Sequence, residues 1–463
     1  MRNFTALFLA LLIGLTAVEG QEKTKAISGG IARTAALGGN PYNPYLQDYT
    51  DVLTNPAWAS KYTNFLYGDA GYALTGYAGL GQNVGFTLGV SGFAVGINVG
   101  HREGPMFAEN SYGAGVGGFG ASDYMLTAIN GVAGPAFGVT TGEPRVPVQI
   151  YAAGKLGPLT VGAALYRATW SQTDDGTGSV GLRQKAEYSN NQTGIKGGVL
   201  LELSQYFTVD GSVLFRLNGS SIDFSDGNPG ANPTTATYDG GGSELAINGR
   251  AFMKFSDKIN IIPQIRFSTF GYQPEITDNS TPTPPSPNNT KPNDYGKTEL
   301  EFGVGVNSRL EGGWVIVGLA IQSVKLTNDI TTQPGGPGTA LQTTKTSVSW
   351  FDLPKINVGG EIEILSWLSG RVGYFKRLST QTRIVESPAP TPKTETSTTI
   401  EAGFVPSLGF TATQQQLAFG LNILVGPVSL DGYMGERFLA AGPNVLSGIF
   451  QDMFGVLSVS IAM

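Results

Sequence analysis

Two carboxylates two residues apart, Glu361 and Glu363, come closest in this chain to an acid–base pair. Hydrolytic chemistry needs such carboxyls in different environments, with water or a nucleophile between them. On an extended strand, residues i and i+2 share a face, so this spacing arises wherever a strand turns one side to water. The rest of the catalytic repertoire is thin. The 463-residue chain has no cysteine, which excludes thiol nucleophiles, thiolate metal sites and disulfides. Its one histidine, His101, cannot by itself build a His-based zinc or iron centre. Neither a serine nucleophile elbow nor a G-x-x-x-x-G-K-[ST] phosphate loop occurs. The net charge of −6 leaves no basic footprint for nucleic acid. These residues point away from an enzyme and toward a chain that uses no cofactor and no metal.

Ionisable residues nevertheless recur in one register. Lys196, Glu202, Arg216, Arg250, Arg266, Glu299, Glu301, Arg309, Glu361, Glu363 and Arg371 all stand opposite apolar neighbours. Asp210, Glu244, Lys254, Lys355, Asp431 and Arg437 join them. Both signs are mixed along successive segments, which favours cross-strand pairs and hydrogen-bond ladders inside a filled or narrow barrel. A selectivity filter would instead gather one sign at a constriction.

Strands with a period of two must position these groups. In Lys297 to Arg309, Leu300, Phe302, Val304 and Val306 fall on one face, and Glu299, Glu301, Asn307 and Arg309 on the other. In Gly241 to Phe255 the apolar face is Leu245, Ile247, Ala251, Met253 and Phe255, against Glu244, Asn248, Arg250 and Lys254. Many such strands in succession separate a wet lumen from lipid.

Seven tight connections mark hairpins: Ser91-Gly92, Gly157-Pro158, Gln205-Tyr206, Ser256 to Lys258, Glu311 to Gly313, Leu365 to Trp367 and Gly426-Pro427. Between them lie long polar or Pro-rich segments, read as loops: Thr173–Gln184, Asp223–Gly242, Thr277–Tyr295, Thr327–Thr346 and Ser387–Thr398. Short turns on one rim and long loops on the other are the outer-membrane pattern. A last strand, Phe450–Ala462, must pair with a first strand within Tyr62–Tyr77 to close the cylinder. The expected fold is all-β: a transmembrane antiparallel β-barrel of about 14 strands, or about 16 if those two strands add to the hairpins, with an N-terminal plug.

The domain plan follows. Residues 1–20 read as a signal peptide, with a positive start, an apolar run from Phe4 to Ala17 and small residues before Gln21. Residues 21–61 do not alternate and form the hatch segment, and 62–463 form the outer-membrane β-barrel. Within 21–61 stand Ala32-Arg33-Thr34-Ala35-Ala36-Leu37-Gly38-Gly39, then Asp51, then Asn55-Pro56-Ala57-Trp58. Read locally, Asn55 caps a helical turn with Pro56 at its first position.

This N-terminal stretch resembles the FadL-type outer-membrane transporter family, including its PorV-like relatives. The resemblance covers about 30 residues: an exported N-terminus, the small-residue stretch, an acidic residue, and Asn-Pro-Ala just before the first strands. Trp58 stands where the family often has glycine. The resemblance implies a hatch inside the barrel and passive uptake of hydrophobic small molecules such as long-chain fatty acids. The alternatives are a PorV-like barrel that acts as an interaction or escort protein in secretion, and a general porin. Ligand binding and gating are expected from Asn55, Pro56, Ala57 and Trp58, together with Met106, Phe107, Phe119, Tyr124, Met125 and Phe137 of the long apolar connection Glu103 to Arg145. Implied partners are outer-membrane lipids and a hydrophobic small-molecule ligand, with proteins reachable through surface loops. The implied location is the bacterial outer membrane.

Overall fold

The computed structural model describes residues 28–38, 43–70, 83–101, 145–177, 183–225, 235–278, 293–332, 342–387, 394–400, 415–435 and 456–463. The signal peptide, and Met106, Phe107, Phe119, Tyr124, Met125 and Phe137, lie outside the described residues.

The wall begins with β1 (Phe65–Ala70), β2 (Asn83–Val90), β3 (Phe93–Val99), β4 (Arg145–Leu156), β5 (Leu159–Thr177) and β6 (Arg183–Ser204). It continues with β7 (Phe207–Ser225), β8 (Thr235–Lys254), β9 (Ile259–Asp278), β10 (Asn293–Leu310), β11 (Gly313–Thr332) and β12 (Gln342–Leu365). It ends with β13 (Leu368–Glu386), β14 (Thr394–Ile400), β15 (Gln415–Val425), β16 (Val428–Gly435) and β17 (Val456–Ala462). Every ladder is antiparallel. β1 pairs with β2 on one side and β17 on the other, which closes the sheet. β14 pairs with the far half of β13 and β15 with its near half, so these two segments share one position. The barrel therefore has 16 strand positions, the larger of the two expected counts.

All seven tight hairpins form where the turn residues stand, and the expected first and last strands pair as Phe65 with Ala462 through Ala70 with Leu457. The strands are longer than alternation indicated. Much of Thr173–Gln184, Asp223–Gly242 and Thr327–Thr346 continues the ladders rather than looping. Above the lipid both faces of a strand are wet, so no apolar side remains to display the period of two. As a result β5 to β13 stand tall, at 18 to 24 residues each, while β1 to β3 have 6 to 8.

The outer face carries large apolar side chains open to the surroundings, among them Leu165, Ile195, Phe215, Ile247, Phe302 and Ile321. Burying none of this surface would be untenable in water; lipid supplies the missing partner. Phe93, Tyr206, Phe255 and Trp367 are exposed beside the short turns and form an aromatic girdle at that rim. The inner face carries the polar register. A bulge between Asp352 and Lys355 switches the parity of β12, so that Trp350 and Asp352 point inward above it and Asn357, Gly359 and Glu361 below.

Candidate functional site

The N-terminal segment packs against inward-facing wall residues on nearly every side. It contains α1 (Ile31–Ala36), α2 (Asp51–Thr54) and a 3-10 turn (Pro56–Lys61). None is long enough to persist alone in water, so wall contacts hold them.

The start of α1 would leave backbone N–H groups unsatisfied. Carboxylates and a hydroxyl meet them. Gly29 N–H donates to Asp431 Oδ2 at 3.1 Å, Gly30 N–H to Asp48 Oδ1 at 2.9 Å, Ile31 N–H to Asp69 Oδ1 at 3.0 Å and Ala32 N–H to Ser458 Oγ at 3.0 Å. Negative charge at this end also suits the helix dipole. Arg371 links Glu361 to Asp431, and Arg33 donates to Asp48 at 3.1 Å while approaching Glu361 at 3.7 Å. Burial works against the charge of Arg33, but Asp48 and Glu361 more than offset it and raise its pKa above the usual value.

A second attachment is built around Asn55-Pro56-Ala57-Trp58. Asn55 caps the 3-10 turn by accepting from Ala57 N–H at 2.9 Å, and Pro56 stands at its first position. The Asn55 amide donates to the carbonyl of Val199, to that of Gly211 and to Asp210. Trp58 Nε1 donates to Asp210 Oδ2 at 2.9 Å, and its ring meets Phe252 edge-on at 5.9 Å. Arg250 Nε donates to Asp210 at 2.7 Å; its other nitrogens reach Asp51 at 2.8 Å and the Leu46 carbonyl at 3.0 Å. Lys196 donates to the Leu53 carbonyl. Burial drives the Asp51 carboxyl up to a pKa of about 7 in spite of Arg250.

The third attachment is steric. Tyr45, fully buried, lies over Gly303, Gly305 and Gly318, and its hydroxyl donates to the Leu319 carbonyl at 3.2 Å. A Cβ at any of these glycines would overlap the phenol ring or its hydroxyl. Elsewhere Pro56 and Ala57 press on Gly162, Leu37 on Gly359 and Ala36 on Gly420. The wall is hollowed by glycine where the segment touches it.

Nearer the long-loop rim a polar ladder crosses β9 to β12. Gln264 and Lys355 both donate to Glu301, Gln322 donates to Glu299 at 2.7 Å, and Lys297 reaches Glu299 at 3.1 Å. On these same rungs the neighbouring strands turn apolar side chains inward: Val324 and Trp350 lie in register with Glu299, and Phe270, Leu326 and Val348 in register with Lys297, all five buried. Val324 pairs directly with Trp350, and Leu326 with Val348.

The inward register thus sorts into groups. Lys196, Arg250, Glu361 and Arg371 hold the N-terminal segment, while Glu299 and Glu301 form the ladder, with Arg266 3.8 Å from Glu299. Arg216, fully buried, pairs with Glu244 at 2.8 Å. Glu202 stands at the short-turn rim between Lys61 and Lys155, and Arg309 and Glu363 are exposed at that rim. Glu361 and Glu363 share a face but not an environment: the first is half-buried beside Trp314 and Arg371, the second is exposed at the short-turn rim. Sequence reasoning missed Tyr45, Asp48, Asp69 and the inward aromatic patch. The glycines at inward positions were the available signal for Tyr45, since they repeat in the same register as the charges.

A closed antiparallel barrel with an apolar exterior, an aromatic girdle and a polar interior is a transmembrane barrel of the bacterial outer membrane. No family description matches the chain, and no curated protein does. Among solved structures it is similar to the Pseudomonas putida toluene transporter TodX, with 11% identity, 96% of this chain and 100% of that chain covered, and a TM-score of 0.36. It is similar to the Ralstonia pickettii toluene transporter TbuX at 10% identity, 93% and 96% coverage and a TM-score of 0.37. It is also similar to the Acinetobacter baumannii siderophore receptor PiuA at 8% identity, 80% and 71% coverage and a TM-score of 0.34. The class assignment rests on the closed pairing and the two faces of the wall.

Proposed function

We propose that this barrel is a plugged outer-membrane channel through which hydrophobic small molecules, long-chain fatty acids among them, enter passively. The observation that carries this reading is the inward apolar patch around Trp350. A barrel that conducts polar solutes lines its lumen with polar groups, so buried Phe270, Val324, Leu326, Val348 and Trp350 on the lumen side need another reason. An apolar cargo supplies it. Residues 21–61 act as the hatch, Asn55 to Trp58 fix its position, and the apolar side chains of 103–145, a connection almost wholly outside the described residues, take part in the first binding of cargo. Cargo shifts the hatch only by binding one of its positions better than another.

Binding of a labelled long-chain fatty acid and of a neutral aromatic hydrocarbon to the purified barrel tests this. Trp350→Asp is expected to abolish both while the barrel stays folded. Unchanged binding in that variant sinks the reading. Silence in planar-bilayer recordings of the wild type is expected too; a large steady conductance favours the general porin.

A further inference from the structure

Past the attachments of the N-terminal segment, the lumen has two unlike sides. On β6, Gly194 lies one rung beyond Lys196, and a single register runs through it around the wall. Gln149 of β4 pairs with Tyr166 of β5, and through Gly194 the register passes to Arg216 and Glu244. Glu244 pairs with Phe270, and from there the register runs through Lys297 to Leu326 and Val348. Up to β8 its side chains are polar or phenolic; from Phe270 onward, Lys297 apart, they are apolar. Residues paired across strands share a face of the sheet, so all of these turn inward together. β5 and β12 hold the fifth and twelfth of the 16 strand positions, so the polar arc faces the apolar one across the lumen.

The polar arc contains amides with incomplete hydrogen bonding. Gln149 is 1% exposed, and neither its amide nitrogen nor its amide oxygen has a hydrogen-bond partner. Turning the amide over changes nothing, because both atoms are affected. Asn218, one step past Arg216 on β7, accepts from Gln192 Nε2 at 3.0 Å, but its own buried nitrogen donates to nothing. Buried amides are nearly always paired, since an unpaired one has lost its hydration and gained no bond. The charges here are engaged instead. Arg216 meets Glu244 at 2.8 Å and lies over the Tyr166 ring at 5.2 Å, and Lys297 is 3.1 Å from Glu299. A carboxylate arriving on this arc would meet cations already paired and would lie beside Glu244. An uncharged head that both donates and accepts would complete Gln149 without burying a further charge.

We propose that this polar arc is a head-group site, and that the preferred cargo is an amphiphile with an uncharged hydrogen-bonding head, an amide or an alcohol, rather than an ionised fatty acid. Gln149 is the principal contact, and the Asn218 nitrogen extends the site across four adjacent strands for a wider head. The tail crosses the lumen to Phe270, Leu326 and Val348. This inference rests on the channel reading and narrows its cargo.

Equilibrium binding to the full-length barrel, held in an amphipathic polymer so that no detergent head competes, tests this. The probes share one chain length: dodecane, dodecanamide and, at mildly alkaline pH, dodecanoate. Wild type is expected to hold dodecanamide about tenfold tighter than dodecanoate. Gln149→Met keeps the length of the side chain and removes the amide. It is expected to weaken dodecanamide about tenfold, what one or two buried neutral hydrogen bonds contribute, and to leave dodecane unchanged. Heat-dependent gel mobility reports that each variant is folded. Dodecanoate held as tightly as dodecanamide overturns the proposal. So does undiminished dodecanamide binding in the Gln149→Met, Asn218→Leu double variant, or an equal loss of dodecane and dodecanamide in Gln149→Met. These outcomes leave the channel reading standing as long as wild type binds dodecane; a wild type that binds none of the three probes overturns both.

Discussion

The ring of Tyr45 fills the space that a side chain at Gly318 would occupy. The two residues are far apart in sequence, and Gly303 and Gly305 extend the same depression on the adjacent strand. Close-packed contact of this kind is sensitive to a single added methyl group. Gly318→Val is therefore expected to displace Tyr45 and loosen the N-terminal segment while leaving the β10–β11 ladder paired. Tyr45→Ala should cost about 3–5 kcal/mol of seating by the cavity it leaves. Protease nicking between residues 38 and 61 in the intact barrel measures both. Wild-type resistance in Gly318→Val would show that the depression is not what holds the segment.

Asp210 gathers three donor residues from two elements: Asn55 and Trp58 of the capped 3-10 turn, and Arg250 of β8. Removing it leaves a buried guanidinium with Asp51 as its remaining carboxylate partner and two more donors without this acceptor. Breaking a buried pair from one side costs about 3–5 kcal/mol. Asp210→Ala should unseat the segment enough to give ion current across a planar bilayer, whereas Asp210→Asn, which keeps one acceptor oxygen, should give less. Equal silence in both variants would mean that the other attachments suffice.

The parts of this molecule that could be read in advance are those governed by local chemistry. Gly157-Pro158 and Gly426-Pro427 can only turn, and the alternation of Phe302, Val304 and Val306 with Glu299 and Glu301 can only be a strand with one dry face. The polar upper strands escaped because Thr, Asn and Gly on both faces carry no period. The inward charges were legible as a register, but their partners were not: Asp431 meets Ser28 and Gly29 across some four hundred residues of chain. Nothing local marks such a contact. Trp58, which stands where the FadL-type family often has glycine, is a hydrogen-bond donor to the wall. The aromatic patch at Phe270 and Trp350 escaped for a different reason: on strands that are apolar on the lipid side, an apolar residue on the other side blurs the pattern.

The lipid face makes its own prediction. Ile265 is the seventh residue of β9, midway up the belt, and points outward between Gln264 and Arg266. Ile265→Lys is expected to lower barrel stability in vesicles by about 2–4 kcal/mol, the depth-dependent cost of a cation near the midplane. The same change at Gly271, above the belt and open on its outer side, should cost almost nothing. Chemical denaturation in lipid vesicles measures both, and equal costs would place the hydrocarbon elsewhere on the wall.

Asp51 should make seating of the N-terminal segment depend on pH. Its carboxyl is held at a pKa of about 7 by burial, against 3.8 for the free group, with Arg250 lowering it and Asp210 and Asp48 raising it. The seated state therefore binds a proton that the unseated state gives up between those two values. Its contribution is fully present below about pH 4 and is lost as pH rises through 7. Protease nicking or bilayer current should accordingly increase from pH 4 to pH 8. In Asp51→Asn, which keeps the size but cannot ionise, that slope should flatten and the segment should stay seated at pH 8. A variant that retains the full wild-type slope would assign the pH dependence to another group, and Arg250 and Asp51 would then form a plain ion pair across the pH 4 to 8 range.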